Sequence, residues 1–100
     1  MLVKRIREPV ILAARSVGYA CAFHGSLLRD IDVIAAPWTD DAVSPAELVE
    51  VIAAAVDGFT KPSREHDTVP REKPHGRLGF PIYVGGTYID LSVMPRSAIR

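Results

Sequence analysis

The sequence has little of several things, and each shortage excludes something. It holds a single cysteine, Cys21, so neither a disulfide framework within the chain nor a cysteine-based zinc site can be built. Its flanking Ala20 and Ala22 suit a small buried hydrophobe better than a nucleophile. The chain has no net charge, because twelve basic and twelve acidic side chains cancel. No global field then draws it to a membrane surface, and the balance argues against nucleic acid as a primary partner. It has no apolar run approaching a membrane span. The basic Lys4, Arg5 and Arg7 are followed by Glu8 and Pro9, and the apolar stretch Val10 to Ala14 is too short for a signal region, which leaves a cytoplasmic location as the expectation. There are no internal repeats and no low-complexity tract.

What remains is a chain of 100 residues, 48% hydrophobic and 24% charged, which is the composition of a globular protein and the length of one domain, 1–100. Pro9 can open a helix as its first residue, with Val10, Ile11, Ala13, Ala14 and Val17 recurring behind it and Gly18 as its stop. The segment SPAELVEVIAAAVDG, from Ser44, carries an N-cap serine, proline at the first helical position and Glu47 to complete a capping box. Its apolar face is expected at Leu48, Val51, Ile52, Ala55 and Val56. Strands are expected at Tyr19 to Phe23, at Asp30 to Pro37, and in the two runs RLGFPIYV and TYIDLSVM. Gly85 and Gly86 join the last two as a hairpin. Pro81 suggests an edge position for its strand. Thr60 to His75, charged and with three prolines, is expected to be a loop. The order α-β-β-α-β-β predicts an α+β fold, a small mixed sheet of about four strands with two helices packed on one face and the other face partly open.

Alternation along the strands places the acids. Asp30 and Asp32 share a face opposite Ile31 and Val33, and Tyr88, Asp90 and Ser92 lie opposite Ile89, Leu91 and Val93. If the last strand lies beside the second, three carboxylates meet on one surface and repel one another unless a cation stands between them. Hard oxygen donors of this kind suit Mg2+ or Mn2+.

HGS at His24 to Ser26, the paired acids DID, and the later YIDL together resemble the DNA polymerase beta-type nucleotidyltransferase superfamily. The resemblance implies that Asp30, Asp32 and Asp90 are catalytic metal ligands and that Gly25 and Ser26 contact the triphosphate. The reaction implied is transfer of a nucleotidyl group from a nucleoside triphosphate to an acceptor hydroxyl. The spacer departs from the pattern: only Leu27, Leu28 and Arg29 separate Ser26 from Asp30, too few for the usual helix, and a hairpin is expected instead. Lys73, His75 and Arg77 form a basic cluster that is either ordinary surface or, through Lys73 and Arg77, a clamp on the triphosphate. His24 and Arg29 are candidates to support the acids from behind. Trp38 is expected to cap the core, and Arg96 and Arg100 to be solvated.

Three functions follow: a minimal metal-dependent nucleotidyltransferase, a non-catalytic relative that binds a nucleotide or a partner protein, and a small metal-dependent phosphoesterase. A sheet covered on one side only also leads us to expect a homo-oligomer or a partner protein.

Overall fold

The computed structural model describes residues 2–25, 31–57 and 69–96. Helix α1 is Leu2–Ser16 and helix α2 is Pro45–Asp57. The strands are β1 Tyr19–His24, β2 Ile31–Pro37, β3 Arg71–Glu72, β4 Leu78–Val84 and β5 Thr87–Val93. They form one sheet in the order β1-β2-β5-β4-β3. The β2–β5 pair is parallel and every other pair is antiparallel. The fold is α+β, with one strand more than expected. That strand, β3, lies within the stretch read as a loop. It is two residues long, pairing Arg71 with Gly79 and Glu72 with Leu78, and two residues show no periodicity that a sequence reading could find.

Alternation along the strands divides the molecule. Ile31, Val33, Ala35, Phe80, Ile82, Val84, Ile89, Leu91 and Val93 are buried, and they share one core with Ile6, Val10 and Ala14 of α1 and Leu48, Val49, Ile52, Ala53 and Val56 of α2. Both helices therefore cover the same side of the sheet. The other side carries Ala22, His24, Asp32, Ile34, Asp90 and Ser92.

Four expectations need correction. Helix α1 does not begin at Pro9 but encloses it. The stripe Ile6, Val10 and Ala14 has helical spacing and is fully buried. Burying a residue such as Ile6 is worth about 1.5–3 kcal/mol, comparable with the roughly 3 kcal/mol an internal proline costs. The buried face of α2 includes Val49 and Ala53, while Val51 and Ala55 are only half-buried. Positions 48, 49, 52, 53 and 56 also make a helical stripe, and packing against both α1 and β4 selects it. Trp38 does not cap the core; it is 72% exposed just past the end of β2. Pro81 was expected to place its strand at the edge, but β4 lies between β5 and β3; the proline is tolerated because it sits beyond the end of the two-residue β3, where no other described strand pairs with β4.

The start of α2 follows the sequence closely. The Glu47 amide donates to Ser44 Oγ at 3.3 Å, and the serine hydroxyl lies 3.1 Å from Glu47 Oε1. Ser44→Ala should lower stability by about 1 kcal/mol, the usual worth of an N-cap, as read from urea denaturation followed by circular dichroism. An unchanged midpoint would mean that Pro45 and the packed face alone define the helix start.

Candidate functional site on the open face of the sheet

The site is a row of residues across the sheet. In register, His24 pairs with Asp32, Asp32 with Asp90, and Asp90 with Pro81. The condition set by the sequence is met: β5 lies beside β2. Parallel neighbours in register point to the same face about 4.8 Å apart, so Asp32 and Asp90 stand side by side on the face that neither described helix covers. Asp30, Ser26 and Arg29, and with them the expected hairpin between β1 and β2, lie outside the described residues.

Each acid has its own neighbour. The Asp32 carboxylate lies against the backbone of Gly25, where φ is +78°, and a Cβ added to Gly25 would fall 2.5 Å from Asp32 Oδ2. Asp90 is paired to Lys73: Nζ donates to Asp90 Oδ1 at 2.7 Å and to Ser92 Oγ at 2.9 Å. The two side chains are 26% and 34% exposed, and a pair this open to water is worth about 0–1 kcal/mol. Ser92 is the one buried polar residue among the described residues, and the lysine satisfies it.

Lys73 reaches the acids because of Gly79. Its side chain crosses β4 there, and a Cβ on Gly79 would sit 2.5 Å from Lys73 Cε and 3.2 Å from Cδ. The lysine is carried by a tight connection between β3 and β4. The Lys73 amide donates to the Arg77 carbonyl at 3.0 Å across the 3-10 turn Pro74–Gly76. Within that turn His75 and Gly76 have φ of +66° and +75°. Arg77 Nε donates to the Pro74 carbonyl at 3.1 Å. Of the basic cluster, then, Lys73 joins the acids, Arg77 closes its own turn and His75 is exposed.

Asp32 and Asp90 supply oxygen donors of the kind a hard divalent ion takes, and Lys73 already brings a positive charge to one of them. Among the described residues no three of His, Cys, Asp or Glu converge on one point. The depression beside Asp90 is shallow, about 130 Å³, with Arg71, Pro81 and Tyr88 on its walls. It has room for an ion or a phosphate group but is well below the usual size of a pocket for a whole small ligand. Arg71, Gly79 and Ser92 were not among the site residues expected from sequence. Arg71 had no periodic signal to mark it, because β3 is only two residues long.

Larger cavities lie elsewhere, the most voluminous, about 440 Å³, being an open depression along α1 at Lys4, Arg7, Glu8 and Arg15. One of about 340 Å³ is bordered by Tyr19, Ser44, Leu78 and Arg96. Arg96 was expected to be solvated; it is exposed, yet its guanidinium donates to the carbonyls of Thr39 and Ala42 at 3.0 and 3.1 Å. The Tyr19 hydroxyl donates to the Val43 carbonyl at 2.7 Å, and burial raises its pKa. Another cavity, about 320 Å³, is lined by Trp38, Arg15 and Cys21 among others. Burial pushes the Cys21 thiol up to about 11, so the thiolate that nucleophilic chemistry needs is scarce at neutral pH. None of these three cavities is bordered by Asp32 or Asp90, and chemistry, not volume, singles out the open face. Among the described residues no helix is long and apolar enough to cross a membrane.

Compared with protein-family models, curated proteins and solved structures, the chain matches none.

Proposed function

We propose that the open face is a nucleotidyltransferase-type centre that uses a nucleoside triphosphate and Mg2+ or Mn2+. The observation that carries this reading is the lateral pairing of Asp32 with Asp90 across the parallel strands β2 and β5. Two carboxylates side by side hold two negative charges on a surface that water reaches, a suitable place for a hard cation. In the proposed reaction an acceptor hydroxyl attacks the α-phosphorus. The new bond forms from acceptor oxygen to the α-phosphorus, the bond from that phosphorus to the bridging α,β-oxygen breaks, pyrophosphate leaves with that oxygen and the bonding pair, and the acceptor's proton passes to water. A bound divalent ion supplies neutralisation of phosphate charge. Asp32 and Asp90 would hold it, Gly25 leaves the Asp32 carboxylate the room it occupies, and Lys73 and Arg71 add positive charge beside the depression.

The small volume at Asp90 favours a pocket completed by a second copy or a partner protein, which would bind the base or the acceptor. A second reading has its own support. Lys73 already neutralises Asp90, as expected of a domain that keeps the acids for structure and binds a partner without catalysis.

The test is incubation of size-separated monomer and oligomer with α-labelled triphosphates, Mg2+ or Mn2+ and hydroxyl-bearing acceptors. Label should pass to an acceptor, and Asp32→Asn should reduce that transfer by about 100-fold or more, as loss of a group that stabilises transferring phosphate does. Absence of transfer from every species would favour the non-catalytic reading.

A further inference from the structure

We propose that Lys73 is a displaceable internal counter-ion, which occupies Asp90 until a divalent cation takes its place. The inference rests on the reading of Asp32 and Asp90 as a hard-cation site, and adds how access to that site is controlled.

Three observations carry it. The first is where the ammonium sits: Nζ is bonded to Asp90 Oδ1 and Ser92 Oγ, so an ion coordinated by Asp90 would compete with it for the same oxygen. The second is charge. Asp32 and Asp90 carry two formal negative charges and Lys73 returns one positive charge, so the lysine leaves the pair half neutralised while a divalent ion would balance it. The third is the path of the side chain. Lys73 runs through a lane over β4 that exists only because Gly79 has no side chain. Its own backbone is held by the Arg77 carbonyl and the turn Pro74–Gly76. The Cα is thereby anchored while the four-carbon stem can swing, and its head group is partly exposed already. Displacement needs rotation of one side chain and no movement of the sheet.

Gly79 offers a way to move the lysine without removing its charge. In Gly79→Ala the new Cβ meets the far end of a flexible side chain, which can yield, and the backbone φ there is not left-handed. The lysine should leave its lane while the fold persists. Lys73→Met removes the charge and keeps a stem of similar shape.

The experiment is calorimetric titration of Mn2+ into the wild-type chain, Lys73→Met and Gly79→Ala, with circular dichroism to verify that each is folded. Both variants should bind Mn2+ about tenfold more tightly than wild type, a usual size for coupling between two competing occupants. In the wild-type chain, saturating Mn2+ should also accelerate acylation of Lys73 by an amine-directed reagent, read by mass spectrometry. Measurable and equal affinities in all three proteins would overturn the counter-ion role and leave the hard-cation reading standing. No Mn2+ binding by any of them would overturn both.

Discussion

Gly18→Ala is expected to lower stability by roughly 3 kcal/mol or more, placing it among the severe single substitutions. Gly18 has φ of +93°, and an L-residue there costs about 1–2 kcal/mol in backbone strain alone. The larger part is steric. A Cβ would lie 2.7 Å from Ala42 Cα and 2.9 Å from Ala42 Cβ, and would also strike Thr39 Oγ1. The hydroxyl could rotate, but the Ala42 backbone could not move alone. The Gly18 carbonyl accepts from the amides of Trp38 and Thr39 at 2.8 and 3.2 Å, and the Val43 amide donates to the Val17 carbonyl at 3.1 Å. These bonds tie the α1–β1 turn to the segment between β2 and α2, so relieving the clash breaks the junction that docks α1 beside α2. For a domain of this size the loss corresponds to a fall in Tm of about 12 °C or more. Thermal unfolding by circular dichroism would measure it, and a fall of less than 4 °C would mean that the junction is softer than its bonds imply.

Gly25→Ala should behave in the opposite way, with a modest effect on stability and a large one on the site. Here φ is +78°, so the backbone cost is again about 1–2 kcal/mol. The nearest obstruction, however, is Asp32 Oδ2 at 2.5 Å, while the next nearest atoms, Asp32 Cγ and Cβ, are at 3.4 and 3.6 Å. A carboxylate at the end of a half-exposed side chain can rotate aside. The fold should therefore survive while Asp32 leaves its place beside Asp90, and Mn2+ affinity should fall about tenfold or more, since a small displacement of a ligand is costly where positioning is the main contribution. Calorimetry and thermal unfolding on the same sample separate the two effects. Unchanged affinity in a folded variant would show that Asp32 does not need the surface that Gly25 provides.

The contrast between these glycines also shows what the sequence could reveal. Period-two alternation in β2 and β5 was legible, and with it the assignment of Asp32 and Asp90 to a face opposite the core. The cap of α2 was legible because Ser44, Pro45 and Glu47 act within one turn of helix. Pro9 misled because a local rule for helix starts competes with a tertiary gain, the burial of Ile6, that only packing reveals. Trp38 misled because its size argues for burial while its place past the last core position of β2 sends it outward. Lys73 was noticed for its charge and read as either ordinary surface or a clamp on phosphate. Its bond to Asp90 depends on a strand of two residues and on a missing side chain at Gly79, and neither leaves a periodic mark.

The central claim is that Asp32 and Asp90 together receive a hard cation on the open face. The measurement that tests it most directly is Mn2+-induced broadening of the backbone amide signals of the isotopically labelled wild-type chain. Signals of residues 31–33 and 89–91 should vanish first, at Mn2+ levels that leave α1 and α2 visible, because paramagnetic broadening is confined to the neighbourhood of the ion. Broadening that begins at acids elsewhere, such as Asp40, Asp41 or Asp57, and spares both strands would contradict the claim.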